Sequence, residues 1–395
     1  VLKHGNTFAV FNRSGDFQPL GRGEQGLYHE GTRYLSRLVL TIDDQHPLLL
    51  HSTIEEDNDL LTVDLMNPDL DHEGEDPVPH ATLHIFRAMT LWEGMCAERI
   101  TVANHGRQRA CVTLSLMVDA DFLDIFEIRG YRREERGILH DPQIDDGGIT
   151  FGYTGLDGAT LYTRVDSDPA PDGIIDRTLL YHLALDPGER IRICVTYGCF
   201  RDMPRENIER FPEIMVRNRD KLRSFHARTT HIVSSNSSFN SWLNRSFADL
   251  YMLLTATPEG FYPYAGVPWF STPFGRDGIL TAWECLMIDP DIAASVLRYL
   301  AARQATDVNP RTDAEPGKIM HETRKGELAE LGIVPFKLYY GSIDATPLFV
   351  GLAGAYLRYT DDRELIEELW PNIEAAVRWI EEYGDLDGDG FIEFR

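Results

Sequence analysis

The chain has 395 residues, of which 43% are hydrophobic, and 63 acidic residues outnumber 38 lysines and arginines to give a formal net charge of −25. A field of that sign repels phosphate backbones and anionic lipid, which argues against nucleic acid and membrane surfaces as partners. The length is typical of two domains rather than one. Five cysteines without metal-binding spacing predict reduced, mostly buried thiols in a cytoplasmic protein.

The first half of the sequence has the pattern of short β-strands. Its segments are rich in β-branched and aromatic residues, and turn-forming clusters such as NRSGD and DPGE separate them. In RACVTLSLMVDA, Val112, Leu114, Leu116 and Val118 share one apolar face, as in a sandwich interior. Residues 1–204 are therefore predicted to form an antiparallel β-sandwich domain. The predicted strands are TFAVF, RLVLTI, PLLLHS, LLTVDL, ATLHIFRAMTLW, ERITVAN, RACVTLSLMVDA, TLLYHLAL and RIRICVTYGCF.

The hydrophobic period changes near residue 205 from that of strands to that of helices. Residues 205–232 are predicted to form a charged helical linker, and residues 233–395 the first half of an (α/α)6 toroid, so the fold class is a multidomain β + α chain. The prediction of a toroid depends on an alternation between two kinds of helix. The second and fourth helices are apolar on most faces and should be buried, whereas the third and fifth are amphipathic and should lie outside. An ordinary helical bundle would also fit. The predicted helices cover 237–255, 275–288, 290–306, 343–360 and 362–384, the last kinked or split at Pro371.

The loop before the first inner helix, VPWFSTPFGRDG, contains residue types that suit a sugar. Trp269 and Phe270 offer flat apolar surfaces for the C–H face of a sugar ring. Arg276 and Asp277 follow at a helix start and can bind vicinal hydroxyls through charge-assisted hydrogen bonds. The alternative is purely structural, with Asp277 in the first turn of a helix and Arg276 as its ion-pair neighbour.

A long polar loop precedes the second inner helix, and loops of this length in a compact domain are usually functional. Its HETRKGE segment contributes His321, Glu322 and Lys325 as candidate substrate-binding residues. Because the segment is not HExxH, it does not indicate zinc. Tyr340 and Asp344 follow where the next inner helix begins. Asp344 therefore resembles Asp277, because each is an aspartate at the start of an inner helix and follows aromatic residues. Asp344 as a simple helix cap is the alternative.

The sequence ends on DLDGDGFIEFR, which has two interpretations. Asp385, Asp387 and Asp389 occupy positions 1, 3 and 5 of an EF-hand loop, with Gly390 at the turn position. Alternatively, these residues form the turn between an outer and an inner helix, because both residue types tolerate left-handed φ and aspartate bonds its own backbone. We favour the turn, with FIEF as a short strand, and expect neither a metal site nor tight calcium binding.

Longer motifs resemble one known family. GEQGLYHEGTRYLSRLVL, EEDNDLLTVDLMNPDL and DADFLDIFEIRG resemble the N-terminal domain of bacterial glycogen-debranching, amylo-α-1,6-glucosidase-like proteins. WFSTPFGRDG, AEPGKIMHETRKGE, YYGSIDATPLFV and LWPNIEAAVRWI resemble the first half of the helical toroid that follows in those proteins, which is similar to the toroid of glucoamylase-type glycosidases. The resemblance covers nearly the whole chain.

The resemblance implies inverting hydrolysis of α-glucosidic linkages. In such toroids an Arg–Asp pair at the start of the first catalytic inner helix binds the terminal sugar, and Arg276 and Asp277 match this pair. Asp344 matches the aspartate at the start of the next inner helix. Inversion needs a general acid and a general base roughly 6.5–9.5 Å apart. The family places them at and after the third inner helix, so we expect both beyond Arg395, in a C-terminal half or a second chain that completes the toroid.

The sequence therefore leaves three classes of function open. The leading hypothesis is a glycoside hydrolase acting on an α-glucan or α-glucoside without a cofactor, in which this chain alone is inactive. A second is a carbohydrate-binding or assembly subunit without turnover. A third is a calcium-regulated protein built on the terminal loop.

Overall fold

The structure is a computed structural model, and its chain forms two compact units, Val1–Lys221 and Leu222–Arg395. We refer to them as the N-terminal unit and the C-terminal unit. The part of the chain that the structure describes consists of residues 1–18, 23–71, 77–202 and 208–393.

The N-terminal unit is built mainly from β-strands, and one short helix, α1 (Ile125–Ile128), is capped by the Asp124 side chain. In chain order the strands are β1 (Leu2–His4), β2 (Thr7–Val10), β3 (Gly26–His29), β4 (Thr32–Leu35), β5 (Arg37–Ile42), β6 (Leu48–Ile54), β7 (Leu61–Met66), β8 (Leu83–Trp92), β9 (Met95–Asn104), β10 (Ala110–Asp119), β11 (Ile138–Asp145), β12 (Gly148–Thr154), β13 (Thr160–Asp168), β14 (Gly173–Ile175), β15 (Thr178–Leu185) and β16 (Arg190–Arg201).

The described strands of this unit pair antiparallel in sheets of two sizes. The largest sheet has eight strands in the order β11-β12-β13-β16-β9-β8-β7-β6. Two four-stranded sheets have the orders β14-β15-β10-β5 and β1-β2-β3-β4. Side chains from all three sheets meet in one hydrophobic core. On β10 the predicted inner face, Val112, Leu114, Leu116 and Val118, is buried, which confirms the sandwich pattern.

A charged network lies inside this core. The Arg87 side chain is fully buried, and its Nε is 2.7 Å from Glu98 Oε1 while its Nη1 is 2.5 Å from Asp16 Oδ1. The Tyr197 hydroxyl donates to the second oxygen of Glu98 at 2.7 Å. Burial would lower the pKa of Arg87, but Glu98 and Asp16 together raise it above its ordinary value, so the Arg87 side chain remains charged.

Basic side chains gather at the first strand of the N-terminal unit. Lys3 is 5% exposed. Lys221 Nζ lies 2.9 Å from His4 Nε2, and the His4 ring stacks on Trp92 at a centroid distance of 4.4 Å. Burial, followed by the charge of Lys221, lowers the pKa of Lys3 to about 7. Burial also lowers the pKa of His4, to about 3.

We expect the free energy of unfolding to rise with pH more steeply in the wild type than in Lys3→Met, between pH about 7 and about 8.5. An unfolded lysine keeps its proton throughout this window, since its ordinary pKa is 10.5, whereas folded Lys3 loses its proton near pH 7. The unfolded state therefore binds more protons, and one such group adds about 1.4 kcal/mol per pH unit. Urea unfolding at several pH values measures the slope. The exposed Lys325→Met should keep the wild-type slope, and an unchanged slope in Lys3→Met would contradict the prediction.

A helix, α2 (Phe211–Arg228), runs through the boundary between the two units. It occupies most of the predicted linker over 205–232, the first residues of which lie outside the described ranges. All five cysteines are free: Cys96, Cys199 and Cys285 are buried, Cys194 is half-buried and Cys111 is exposed. Among the described residues, no helix combines the length and apolar character needed to cross a membrane.

The C-terminal unit is helical, with one hairpin of strands β17 (Leu254–Thr257) and β18 (Gly260–Pro263). Each of the five predicted helices of this unit is present, and α8 continues unbroken through Pro371. Asn236, Asp289 and Asp362 cap α3, α5 and α8 by accepting backbone N–H groups. The helices are α3 (Ser237–Leu253), α4 (Gly275–Glu284), α5 (Pro290–Ala301), α6 (Glu327–Glu330), α7 (Ala345–Thr360) and α8 (Arg363–Trp379), followed by a π-helical turn (Ile380–Gly384).

The predicted burial of two helices, α4 and α5, is wrong. Helix α5, expected outside, buries seven of its twelve residues because it packs against β18, α4, α7 and α8. Helix α4, expected to be buried, leaves Leu280 43% and Trp283 39% exposed. On α3, Trp242 is also 63% exposed. The hydrophobic periodicity of a helix shows which of its faces are apolar, but it does not show which neighbouring elements pack against those faces.

Candidate functional site

Three backbone segments of the C-terminal unit lie side by side where the polar loops converge. Phe274 and Glu322 form an antiparallel bridge, and Glu322 forms another with Tyr339. The Gly275 N–H donates to the His321 carbonyl at 2.8 Å, and the His321 N–H donates to the Tyr339 carbonyl at 2.7 Å. These bonds bring the start of α4 next to the HETRKGE segment.

The starts of α4 and α7 are joined by an ion pair. Arg276 Nη1 lies 2.9 Å from Asp344 Oδ2, and Arg276 Nε lies 3.9 Å from Asp277 Oδ2. The Ser342 hydroxyl donates to the second Asp344 oxygen at 2.9 Å. Asp344 occupies the cap position of α7, yet its side chain makes no capping hydrogen bond. The Asp344 carboxylate therefore bonds to Arg276 at the start of α4 instead of capping its own helix, α7.

The charges of this ion pair stabilise each other. Burial would raise the pKa of Asp344, but hydrogen bonds from Arg276 and Ser342 together lower it below its ordinary value. The hydrogen bond to Asp344 raises the pKa of Arg276. The side chains of Arg276, Asp277 and Asp344 remain 46%, 42% and 37% exposed, so an incoming ligand can reach all three.

His321 completes what we call the Arg276 cluster, made of Arg276, Asp277, His321 and Asp344. Burial lowers the pKa of His321; Arg276 acts in the same direction, while Glu322, Asp277 and Asp344 oppose it. The imidazole is therefore neutral at pH 7. Its Nδ1 is buried, and no group in the described part of the chain bonds to it. The ring lies edge-on to Phe274 at 5.4 Å and to Tyr339 at 6.0 Å.

Glu322 and Arg324 form a buried pair behind the cluster. Arg324 Nε lies 2.6 Å from Glu322 Oε2, and both side chains are 8% exposed. Arg324 Nη1 also donates to the Trp269 carbonyl at 3.2 Å. Arg324 thus ties the aromatic loop to the HETRKGE segment. Arg324 was not predicted to belong to the site, although it lies two positions after the candidate acid Glu322 in the sequence.

The other predicted site residues differ in their surroundings. Trp269 is half-buried, and Phe270 is 46% exposed and lies edge-on to Phe274 at 5.8 Å. Lys325 is exposed on the surface of the loop. Tyr340 is 6% exposed, and its hydroxyl donates to the Arg303 carbonyl at 2.8 Å, so its surroundings are those of a core residue.

The terminal loop forms a turn that brings four carboxylates together. Ligand atoms of Asp385, Asp387, Asp389 and Glu393 all lie within 4.8 Å of one another. Each of these carboxylates also accepts a backbone N–H of the loop, and two glycines, Gly388 and Gly390, have positive φ. The bonding pattern is that of the predicted turn, and the absence of tight calcium binding stays a prediction. The predicted strand FIEF does not form over its first three residues, and Phe394 lies outside the described residues.

The chain has antiparallel sheets in its N-terminal unit and helices in its C-terminal unit, which is the fold class predicted for it. Residues 2–196 match the model of a family described as the N-terminal domain of some glycogen debranching enzymes. Residues 2–196 are therefore similar to that N-terminal domain, as the sequence motifs indicated.

One solved structure has a similar fold over most of this chain. A putative kojibiose phosphorylase from the human microbiome has a TM-score of 0.64 and 11% identity, over 95% of this chain and 56% of that protein. A bacterial glucoamylase solved with acarbose has a TM-score of 0.45 and 11% identity, over 97% of this chain and 60% of that protein. The chain thus spans less than two thirds of either structure. No curated protein matches the sequence.

Proposed function

We propose that the C-terminal unit contributes the sugar-binding part of an inverting glycoside hydrolase for α-glucosidic linkages, of the amylo-α-1,6-glucosidase-like, glycogen-debranching kind. The observation that carries the proposal is the ion pair from Arg276 to Asp344, which joins two helix starts and leaves both charged groups accessible. Five free cysteines agree with a cytoplasmic location.

The chemistry of the Arg276 cluster suits a ring of vicinal hydroxyls. Asp277 and Asp344 accept hydrogen bonds, whereas Arg276 donates them, so adjacent hydroxyls of one sugar can be bound as acceptor and donor together. Phe270, 46% exposed, provides an apolar surface for the C–H face of the ring.

The carboxylates of this site suit binding better than proton transfer. A general acid needs a raised pKa, but the pKa of Asp344 is lowered. Glu322 is buried against Arg324 at 2.6 Å. We therefore propose that the general acid and base lie beyond Arg395, on residues that complete the toroid in the same protein or in a second chain. The alternative is a carbohydrate-binding or assembly subunit without turnover of its own.

Two experiments test the proposal. This chain is titrated calorimetrically with glucose, maltose and isomaltose, and we expect weak, saturable binding. The complete protein is then incubated with a panel of α-glucans and α-glucosides, and we expect release of glucose as the β-anomer, as inversion requires. A parallel set of reactions contains inorganic phosphate, because the kojibiose phosphorylase shares the fold. If the product is a sugar phosphate, the proposed reaction is phosphorolysis rather than hydrolysis. Sugar binding without any product would favour the binding subunit, and neither binding nor product would overturn the proposal.

A further inference from the structure

A small polar cavity lies on the eight-stranded sheet, next to the start of α2. Strands β13 and β16 pair there with Asp166 opposite Thr196 and Asp168 opposite Cys194. Alternate residues of a strand share a face of the sheet, as do residues directly opposite each other, so these four side chains point to the same side. They line a cavity of about 250 Å³, which the segment before α2 closes on one side.

The segment before α2 forms a fixed wall of this cavity. Ile208 contributes an apolar side chain to the wall, and Arg210 contributes a guanidinium group. The Thr196 hydroxyl donates to the Glu209 carbonyl at 3.2 Å, and the Arg210 N–H donates to the Glu213 carboxylate at 2.9 Å. Because both bonds hold the wall in place, the cavity is formed before a ligand arrives.

The charged groups of the cavity compensate one another. Arg210 Nη1 lies 2.5 Å from Asp168 Oδ2, and Arg164 Nη2 lies 2.6 Å from Asp166 Oδ1. Each carboxylate has a second oxygen that can accept a hydrogen bond, and the Arg210 guanidinium has further N–H groups that can donate. The cavity therefore offers acceptors and a donor side by side without a large net charge.

This combination suits a neutral ligand that carries several hydroxyls. An anion would meet Asp166 and Asp168, and a metal cation would meet Arg210; among the described residues, no three metal-binding side chains converge here. Adjacent hydroxyls of a sugar can donate to a carboxylate and accept from a guanidinium at the same time. The volume lies just below the range of about 300–1,000 Å³ that is typical of ligand pockets, so it suits a single ring.

We propose that this cavity binds one ring of a neutral sugar, at a site separate from the Arg276 cluster. The residues that line it all belong to the N-terminal unit, so the site does not depend on the function proposed for the C-terminal unit. A bound ring would cover Cys194, which is half-buried and free. The reactivity of this thiol therefore reports whether the cavity is occupied.

Alkylation of Cys194 by iodoacetamide, followed by mass spectrometry, tests the proposal on the full chain. The labelling is done at alkaline pH, because burial raises the pKa of the Cys194 thiol. We expect glucose and maltose to slow the labelling of Cys194 in a saturable way and to leave the labelling of the exposed Cys111 unchanged. Glycerol, which has hydroxyls but no ring, should not protect Cys194 at the same concentration.

Substitutions of the ion pair in the cavity test the contacts themselves. Arg210→Met and Asp168→Asn each change a side chain that is more than half exposed, so the fold should persist. Each should raise the sugar concentration that gives half protection about tenfold or more, relative to the labelling rate of the same variant without sugar. Arg177→Met removes an exposed ion pair with Asp119 in the same unit and is the matched control, which should keep the wild-type protection. Circular dichroism checks that each variant is folded.

The outcome at this cavity can be separated from the outcome at the Arg276 cluster. Asp277→Asn should leave the protection of Cys194 unchanged. The proposal is overturned if sugar does not slow the labelling of Cys194, if glycerol protects it equally, or if Asp277→Asn abolishes the protection while Arg210→Met does not. If Cys194 does not react even without sugar, calorimetric titration of Asp277→Asn with glucose decides. Binding that an added Arg210→Met weakens supports the site, and equal titrations overturn it.

Discussion

Replacing Arg87 by methionine is expected to lower the free energy of unfolding of the N-terminal unit by about 3–5 kcal/mol. The substitution removes the shared cation and leaves Glu98 and Asp16 as buried carboxylates 0% and 5% exposed. Neither can be hydrated in place, so each must take up a proton or the core must open. Methionine fills most of the volume, so the loss reflects uncompensated charge rather than a cavity. Chemical denaturation at pH 7 measures it.

Two further variants separate charge from packing in this network. Arg109→Met removes an arginine that is 62% exposed and 3.9 Å from Asp186, and it should change stability by less than about 0.5 kcal/mol. Neutralising the whole network, with Arg87→Met, Glu98→Gln and Asp16→Asn together, should restore part of the lost stability because no buried charge is then unpaired. If Arg87→Met matches Arg109→Met, the network is not a stabilising element.

Nine of the sixteen described strands of the N-terminal unit were predicted from their sequences, whereas β1, β3, β4 and β11 to β14 were not. Strand β5 lies at its predicted bounds, Arg37–Ile42, and β10 shows the predicted inner face. The pair β3 and β4 was not predicted, because GLYHEGTRYL mixes polar and apolar residues on both faces. The structure explains this mixture: Arg33 is buried there and bonds bidentately to Asp121, a contact between residues far apart in the chain. Strand β11 was also missed, because its sequence ILHDPQID contains a proline and two aspartates, which are depleted in strands.

Part of the candidate site could be read from local position and part could not. Asp277 and Asp344 each stand at a helix start after aromatic residues, and this shared position predicted that they belong to one site. In the structure Arg276, next to Asp277, forms a 2.9 Å ion pair with Asp344. The roles of Arg324 and Tyr340 depend on which distant backbone groups their side chains reach, the Trp269 and Arg303 carbonyls. No spacing in the sequence records those contacts.

In the complete protein, Asp277→Asn is expected to lower kcat/KM for α-glucoside hydrolysis by about 10–100-fold, because a charge-assisted hydrogen bond to a sugar hydroxyl contributes about 1.5–3 kcal/mol. Asparagine keeps the shape of the side chain but has one acceptor oxygen where aspartate has two, and it has no charge. Asp277 lies in the first turn of α4 and is 42% exposed, so the helix should keep its fold. Steady-state kinetics of the complete protein measures the loss.

The same substitution in this chain separates binding from chemistry. If Asp277 holds the sugar, Asp277→Asn should weaken calorimetric sugar binding by a factor similar to its effect on kcat/KM, because the interaction exists before the reaction begins. Glu284→Gln, at the far end of the same helix and exposed, removes an equal charge and should leave both measurements unchanged. Wild-type values of sugar affinity and kcat/KM in Asp277→Asn would remove this residue from the sugar site and leave its carboxylate as a first-turn acid that favours the helix dipole.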